Sequence, residues 1–447
     1  MLWYYLRFLI SPTLLLYVKR VKIRNAHRIR KNQPILISMN HPNAFLDPIA
    51  FSATLFYPRV FFMARGDAFK KGIVSHILES VGIVPIFRLR DAGLEGVKKN
   101  AESFQVVNKL WNRNKKVIVF SEGLCVQERR LRPIQKGTAR MAFGFLDQSQ
   151  KKDFLIVPVS VTYSKPSKMF TEIFYDVGNP IQAADYLNKY TENSVKAINE
   201  LTKDIEAEMK RITPHLNNKE NDDLLEQLQD IYKKVWLKKN KLNSKNLEHV
   251  QLFWNSIIQT INKAEINNRG HFNSFKTEVR NYHNELASLD LKDHLFTAGK
   301  SESNFKKYFY ALGLIIGYPL YIVGILLNFL PFIISSRIAG TLAKTIEFYA
   351  SFHFVIGSLI MKLLFFTELI IIWKISHSLQ MMFLFTVLKI VSGVFAKNFF
   401  FFTKKTRGIF RFDTFKSRNN IRYSALLSLR NNILDQLSKF EEEAVSK

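Results

Sequence analysis

The sequence is short of cysteine and of acidic residues, and each shortage narrows what the chain can be. Cys125 is its one cysteine, so no intramolecular disulfide can form, which fits a reducing compartment. Asp and Glu number 37 against 65 Lys and Arg, which gives a formal net charge of +28. That excess indicates an anionic partner: a nucleic acid, an anionic membrane surface or a small anionic substrate. The 10 histidines are scattered without ligand spacing, so we predict no metal site.

Charge is missing altogether from residues 308–335, which are mostly apolar. This run exceeds the ~20 residues that a helix needs to cross a bilayer. Pro319 and Pro331 could kink it or fold it into a re-entrant hairpin, so both arrangements stay open. Residues 348–373 and 379–403 are also apolar but are interrupted by charges, and each is either a span or a helix in the interface. Basic residues flank both sides of the uncharged run, which suits a hairpin with both ends in the cytoplasm.

The N-terminal residues, MLWYYLRFLISPTLLLYVKRVKIR, are apolar first and basic afterwards. A secretory signal has its positive charge before the apolar core, so the order here is reversed. Arg7 and Pro12 also interrupt a clean membrane span. We therefore predict a membrane-interface helix over residues 1–24, with its aromatic side chains at the headgroup level. A spanning helix and a helix buried in the fold are the alternatives.

Residues 34–182 alternate between short apolar runs and segments of helical period. The predicted strands are residues 34–38, 59–64, 83–87, 116–120, 154–163 and 174–178. This alternation predicts an α/β fold, in which helices flank a mostly parallel sheet. In such sheets, ligands bind beyond the carboxyl ends of the strands.

The composition changes along the chain, and we predict five segments from those changes. They are a membrane-interface helix (1–24), the α/β domain (25–215), a charged helical region (216–300), a hydrophobic membrane region (301–403) and a basic helical tail (404–447). Residues 183–300, which are charged and helix-prone, are expected to be a helical insertion that packs on the α/β core. Basic residues beside apolar, aromatic segments favour anionic lipid headgroups as the partner. Nucleic acid is disfavoured because no recognition motif accompanies the charge.

His41 and Asp47 come just after the first predicted strand, in the stretch NHPNAFLDP. An imidazole can take a proton from a hydroxyl near neutral pH, and a carboxylate that holds its other nitrogen improves it as a base. Residues six apart do not share a helix face, so the pair meets only if the segment turns first. The HPN sequence supplies such a turn. The alternative is a helix-start signal that contains an incidental histidine.

Two basic stretches follow later predicted strands. Arg88 ends the stretch GIVPIFR. The guanidinium group of arginine commonly binds phosphate oxygens through two parallel hydrogen bonds. Glu122 and Gly123 form a turn after the strand KVIVF, and a basic loop with Arg129 and Lys136 comes next. The alternatives are a loop arginine paired with a neighbouring aspartate, and a solvated basic face.

Four stretches in order resemble the glycerolipid acyltransferase superfamily, which includes glycerol-3-phosphate and lysophosphatidic acid acyltransferases. They are NH…D at 40–47, GIVPIFR at 82–88, FSEG at 120–123 and VPV at 157–159. Each is weak alone, but four in this order are specific. The resemblance covers roughly residues 20–215 and makes the α/β domain an acyltransferase domain. The spacing of NHPN…DP and, more loosely, the apolar C-terminal region resemble a long, membrane-bound subset of the family.

The resemblance implies a role for each motif residue. His41 is the general base, and Asp47 is the carboxylate that orients it. Substrate binding falls to Asn40, Arg88, Glu122, Gly123, Arg129 and Lys136. The sequence departs from the family in one motif: the proline of Phe-Pro-Glu-Gly is Ser121 here, and the Thr-Arg that follows is Leu124-Cys125. The departure affects the identity of the acceptor more than the type of reaction.

The family further implies a reaction and a location. The reaction is acyl transfer from a thioester, acyl-CoA or acyl carrier protein, to a hydroxyl of glycerol-3-phosphate or lysophosphatidate in phospholipid synthesis. No metal or redox cofactor is expected, and the acyl thioester is a cosubstrate. Membrane lipids are expected partners, and the inner or cytoplasmic membrane is the expected location, with the active site facing the cytoplasm. Two alternatives stay open: another lysolipid or an aminolipid as acceptor, and a non-catalytic lipid-binding protein on the same fold.

Overall fold

The computed structural model describes residues 2–29, 32–55, 58–66, 69, 72–87, 100–297 and 304–445. The chain divides into two compact units. The first unit comprises Met1–His215 and Thr341–Phe354, and the second comprises Leu216–Gly340 and Val355–Lys447.

The first unit is built on a β-sheet, which has eight strands in the described residues. They are β1 Arg20–Arg24, β2 Ile35–Met39, β3 Val60–Arg65, β4 Ile83–Ile86, β5 Lys116–Phe120, β6 Leu155–Tyr163, β7 Glu172–Val177 and β8 Ile181–Gln182. The order is β1-β7-β6-β2-β5-β3-β4, with β8 also paired to β6. The pairings are parallel except those of β6 with β7 and with β8. The predicted α/β class, with a mostly parallel sheet, is confirmed.

The centre of this sheet explains where the motif residues meet. All five side chains of β2, ILISM, are buried, as expected for a parallel strand covered on both faces. Met39, its last residue, lies opposite Phe120 of β5 and Val159 of β6. The carboxyl end of β2 is therefore level with the end of β5 and with the middle of β6. The residues that follow β2 and β5 reach the same edge of the sheet.

Helices flank this sheet, as the alternating pattern predicts. They are α1 Leu2–Tyr17, α2 Leu46–Thr54, α3 Ile73–Ser80, α4 Asn100–Asn112, α5 Gly137–Gln148, α6 Leu187–Glu192 and α7 Ser194–Ile212. Side chains of α4, α5 and α7 pack on the sheet in one apolar cluster. Trp111 of α4 is fully enclosed there, and its indole N–H donates to the Ile35 carbonyl at 3.1 Å.

Residues 20–24, predicted as the end of the N-terminal helix, form strand β1 instead. Arg20 and Arg24 lie opposite Glu172 and Asp176 of β7 and form ion pairs with them. The reason is long-range, because the acidic partners that hold this basic strand in the sheet lie about 150 residues further along the chain.

The N-terminal helix α1 has two different surfaces. Tyr5 and Phe8 are largely exposed, whereas Thr13, Leu14 and Tyr17 are buried in the first unit. Its carboxyl half therefore packs on the fold, and its first turns present aromatic rings to the surroundings. The membrane-interface role stays a prediction for those first turns.

The second unit is helical in its described part. Its helices are α8 Asp222–Lys239, α9 Leu247–Asn267, α10 Arg269–Ser288, α11 His294–Thr297, α12 Asn304–Asn328, α13 Leu330–Leu342, α14 Ile346–Ser376, α15 Leu379–Arg418 and α16 Asn420–Val445. Two of them cross the unit boundary: α13 ends in the first unit, and α14 begins there. Helices α8, α9, α10 and α16 share an apolar core, next to which Arg430 and Asp293 form a buried ion pair.

Among the described residues, three helices are long and apolar enough to cross a membrane: Phe305–Asn328 of α12, Ile346–Ser376 and Leu379–Arg418. They indicate that the protein associates with a membrane. The uncharged run at 308–335 is shared between two helices, because α12 ends at Asn328 and α13 begins at Leu330. Pro319 lies inside α12 without ending it.

Candidate active site

The turn that connects β2 to α2 brings His41 and Asp47 together. His41 Nδ1 lies 2.8 Å from Asp47 Oδ2. The turn is formed by backbone bonds from Leu46 N–H to the Asn43 carbonyl and from Asp47 N–H to the Ala44 carbonyl, at 3.0 and 3.3 Å. Ala44 has a φ of +35°, which is unusual for a residue with a side chain. The chain thus reverses within HPNA, and the aspartate in the first turn of α2 faces the histidine.

Asp47 is fully buried, and both of its carboxylate oxygens are occupied. Oδ2 accepts from the Asn43 N–H at 2.9 Å as well as facing His41, and Oδ1 accepts from the Tyr163 hydroxyl at 2.6 Å. The Tyr175 hydroxyl donates to the Asp47 backbone carbonyl at 2.8 Å. Burial raises the pKa of both tyrosine hydroxyls well above the ordinary value, and the charge of Asp47 adds to the rise. Both tyrosines therefore remain protonated donors that hold the carboxylate and α2 in place.

The imidazole of His41 is held on its face as well as at Nδ1. It stacks on Phe120, the last residue of β5, with ring centroids 3.6 Å apart and planes inclined by 17°. The side chain is 17% exposed. With Nδ1 directed at Asp47, Nε2 is the nitrogen that can meet a substrate hydroxyl. This arrangement suits a general base, since the carboxylate fixes the ring and stabilises the cation formed on proton transfer.

Glu122 joins the loop after β5 to the loop after β2. Its Oε1 accepts from the Arg132 N–H at 2.8 Å, and its Oε2 accepts from the His41 N–H at 3.3 Å. Burial raises the pKa of Glu122 to about 7, although these two backbone hydrogen bonds oppose the rise. Gly123 follows with a φ of +67°, and a Cβ there would lie 3.2 Å from Gln135 Cγ. The turn after β5 therefore favours glycine at this position.

Asn40 is bonded within the fold at both ends of its amide. Its Nδ2 donates to the Val161 carbonyl at 3.1 Å, and its Oδ1 accepts from the Val161 N–H at 2.7 Å. These bonds continue the β2–β6 pairing one step beyond Met39 and Val159. Asn40 is therefore placed to fix the backbone that precedes His41.

Ser121, which replaces the proline of the family motif, is buried in a network of hydroxyl groups. Its Oγ lies 2.7 Å from Ser38 Oγ and accepts from Thr138 Oγ1 at 2.9 Å. Its backbone N–H donates to the Met39 carbonyl at 3.2 Å, a bond that proline cannot make. The serine thus ties β2, β5 and α5 together at the base of the site.

The basic loop is partly neutralised by its own residues. Arg130 and Arg132 pair with Glu128 at 2.7 and 2.8 Å. Arg129 Nη2 donates to the Ser164 carbonyl at 3.1 Å, and Lys136 is exposed just before α5 begins. Arg88, the other predicted phosphate contact, lies outside the described residues.

Cys125 is not arranged as a nucleophile. Its Sγ accepts from the Ala44 N–H at 3.1 Å, and burial raises the pKa of the thiol above its ordinary value. Across the described ranges, no group of three or more His, Cys, Asp or Glu side chains is arranged to bind a metal ion.

Sequence reasoning missed the partners that surround the pair. Tyr163 and Tyr175 lie in predicted strands, and their positions there predict no role at the site. A tyrosine at the end of a buried strand is a weak signal for such a role, because a buried hydroxyl needs a hydrogen-bond partner. Ser351, whose hydroxyl bonds to the turn between His41 and Asp47, gives no local signal at all.

Comparison with known proteins identifies related chains. Residues 20–162 match the family model described as Acyltransferase. The chain is 24% identical over 243 residues to "Glycerol-3-phosphate O-acyltransferase 1" of Saccharomyces cerevisiae, and the match covers 51% of this chain and 30% of the yeast protein. It therefore spans less than a third of that relative. A solved structure, the 1-acyl-sn-glycerophosphate (LPA) acyltransferase PlsC from Thermotoga maritima, is 19% identical with a TM-score of 0.28. That match covers 41% of this chain and 72% of the other, and so low a score supports no conclusion about this chain.

Proposed function

We propose, from the premise that this chain belongs to the glycerolipid acyltransferase superfamily, that it is a membrane-bound enzyme of phospholipid synthesis. It moves a fatty acyl group from a thioester donor to a hydroxyl of glycerol-3-phosphate or lysophosphatidate. The donor is acyl-CoA or acyl carrier protein, and the membrane is an inner or cytoplasmic one. The observation that carries the proposal is the 2.8 Å contact between His41 Nδ1 and Asp47 Oδ2 beyond the carboxyl end of β2.

The proposed reaction is a direct transfer. Nε2 of His41 removes the proton of the acceptor hydroxyl as its oxygen attacks the thioester carbonyl. Asp47 stabilises the imidazolium that forms. When the tetrahedral intermediate collapses, the carbon–sulfur bond breaks, and His41 returns the proton to the departing thiolate. Cys125 supports a route without an acyl-enzyme, because its half-buried thiol accepts from the Ala44 N–H and has a pKa that burial raises.

Acceptor binding is assigned to groups around this pair. Arg88, Arg129 and Lys136 are the proposed contacts for the acceptor phosphate, since guanidinium and ammonium groups bind phosphate oxygens. Glu122 and Gly123 shape the site by fixing the turn after β5 against the His41 backbone.

Acyl transfer by membranes that contain the full chain tests the proposal. Labelled acyl-CoA and acyl carrier protein are offered with glycerol-3-phosphate and lysophosphatidate, and the products are separated by thin-layer chromatography. We expect labelled lysophosphatidate or phosphatidate. His41→Ala should lower the rate on the order of 10²–10⁴-fold, because the general base is lost. His76→Ala is the matched control, since His76 is an exposed histidine of the same unit, on α3.

Ser121 and Leu124-Cys125, which replace family residues in the turn after β5, favour a second candidate, a different acceptor. The panel therefore includes other lysophospholipids and aminolipids. Transfer only to one of these would reject the glycerol phosphate acceptors and keep the enzyme class. Absence of transfer to every acceptor, or a His41→Ala protein as active as the wild type, would reject the catalytic assignment.

A further inference from the structure

The first turns of helix α14 contact the turn between His41 and Asp47. Ser351, on the second turn of this helix, is fully buried. Its Oγ donates to the Asn43 carbonyl at 2.8 Å and accepts from the Leu46 N–H at 2.9 Å. A hydroxyl can do both at once, because it carries one donor and two acceptor lone pairs. One side chain thus bonds to both ends of the turn.

These two bonds act on the segment that sets the position of Asp47. The Asn43 N–H donates to Asp47 Oδ2, the oxygen that faces His41, and Leu46 precedes Asp47 in the chain. Between them lies Ala44, whose positive φ is costly for a residue with a Cβ. Such a turn persists only when its surroundings hold it, and Ser351 supplies bonds on both sides of it.

Aromatic packing joins the same two segments. The ring of Phe45, inside the turn, meets Phe348 and Phe352 edge to face, with centroids 5.8 and 6.1 Å apart. Edge-to-face pairs of this kind stabilise a contact beyond the area that they bury. These phenylalanines lie on either side of Ser351, so the helix contacts the turn over a whole helical turn.

The helix also reaches the loop that follows Glu122 and the N-terminal helix. Glu347 Oε1 accepts from the Gln127 N–H at 3.4 Å. The hydroxyl of Tyr17, the last residue of α1, bonds to the Ala350 carbonyl and to His353 Nδ1, each at 3.2 Å. The first turns of α14 are therefore anchored on three segments of the first unit, and Ser351 is the member bonded to the His41–Asp47 turn.

We propose that Ser351 is a positioning residue for the His41–Asp47 pair, although 305 residues separate it from Leu46 in sequence. A helix that is apolar enough to span a bilayer thus contributes its first turns to the active site. This inference rests on the proposed acyltransferase function. It adds residues 346–354 to the catalytic unit, outside the family match at residues 20–162.

Removing the Ser351 hydroxyl should affect kcat more than KM. In Ser351→Ala, the Asn43 carbonyl and the Leu46 N–H each lose the bond to the serine and keep only the 3.0 Å bond to each other. The loss is unfavourable in a buried turn unless the turn moves. If the turn moves, Asp47 shifts relative to His41, and a displacement of about 1 Å can cost 10²-fold in rate. Substrate contacts made elsewhere are unchanged, so kcat falls more than KM changes.

The test uses the full chain in membranes and measures kcat and KM for donor and acceptor. We expect Ser351→Ala to lower kcat on the order of 10–100-fold with little change in either KM. Ser351→Thr, which keeps the hydroxyl, should recover most of the rate. Ser358→Ala is the matched control, because Ser358 is a buried serine further along α14 whose hydroxyl has no hydrogen-bond partner among the described residues.

A double-mutant cycle separates positioning from general stability. If Ser351 acts through the pair, Ser351→Ala should lower kcat little further in an Asp47→Asn background. If the serine only stabilises the fold, its effect should multiply with that of Asp47→Asn, and the inference would be wrong. Full activity of Ser351→Ala beside an inactive His41→Ala would reject this inference alone. An inactive wild type would reject the proposed function itself.

Discussion

At the scale of single residues, Glu122 shows how a buried carboxylate can organise backbone instead of binding a cation. Both of its oxygens accept from main-chain N–H groups, those of His41 and Arg132. Glu128, six residues later, is bonded by two arginine side chains. Against the effect of burial, the hydrogen bonds from Arg132 and Arg130 hold the pKa of Glu128 below its ordinary value. The two glutamates should respond to pH in opposite directions.

Glu122 is expected to destabilise the fold as the pH rises. Its pKa is about 7 in the folded protein against 4.5 ordinarily, so between these values the folded state holds more protons than the unfolded one. The wild type should therefore lose up to about 3 kcal/mol of stability between pH 4.5 and 7, relative to Glu122→Gln. Thermal unfolding of the detergent-solubilised protein across this range measures the difference.

Glu128→Gln is the control for this measurement. Because the pKa of Glu128 is lowered in the fold, its contribution is present above the ordinary pKa of 4.5 and is lost as the pH falls below it. Glu128→Gln should therefore show the same slope as the wild type between pH 4.5 and 7. Equal slopes for Glu122→Gln and the wild type would contradict the assignment.

The sequence predicts the His41–Asp47 pair better than it predicts the residues that hold the pair in place. His41 and Asp47 are close in the chain, and the HPN turn that joins them has a local signature. Tyr163, Tyr175 and Ser351 reach Asp47 or its turn only through the tertiary fold, at separations of 116, 128 and 305 residues. No local pattern encodes such distant partners, which is why reasoning from the sequence missed them.

At the scale of elements, two apolar helices carry opposite charges within their length. Lys389 of α15 pairs with Glu368 of α14, and the exposed side-chain fractions are 6% and 26%. The rings of Phe365 and Phe385 lie 5.4 and 5.9 Å from the ammonium. Charges inside an apolar helix are costly unless they are paired. The pair therefore explains how two charges that interrupt the predicted membrane stretches are accommodated.

Breaking this pair on one side should destabilise the protein. In Glu368→Leu the lysine is left buried and uncompensated, at a cost of about 3–5 kcal/mol. Adding Lys389→Leu removes the unpaired lysine charge and should restore most of the lost stability. Thermal unfolding in detergent measures both variants. A double variant no more stable than Glu368→Leu alone would show that the pairing does not matter.

The strands show where the hydrophobic pattern of the sequence is enough to predict an element and where it is not. Six predicted strands appear in the sheet with bounds shifted by two residues at most. Four of them, β2, β5, β6 and β7, are buried along nearly their whole length, as their apolar runs predict. Strand β1 was missed because RVKIR has too few apolar residues to be recognised alone. Its place in the sheet depends on Glu172 and Asp176 of β7, which supply the opposite charges.

At the scale of the whole molecule, the chain has a net charge of +28, and the part that the structure describes contains three helices of membrane-spanning length. Electrostatic attachment to anionic lipid weakens in salt, whereas insertion of apolar helices does not. The full chain should therefore stay in the membrane pellet after washing with concentrated salt and with alkaline carbonate, and detergent should release it. Immunoblotting of pellet and supernatant measures this. Release by salt alone would show that charge, not the apolar helices, holds the protein.

The bonds from Ser351 to the turn also affect where the gene can be cut. A coding region that stops after codon 215 keeps the four motifs and the strands of the sheet, yet it encodes no serine to close the HPNA loop. Fragments for crystallisation or directed evolution should therefore either continue through codon 354 or splice codons 341–354 back in by a designed linker.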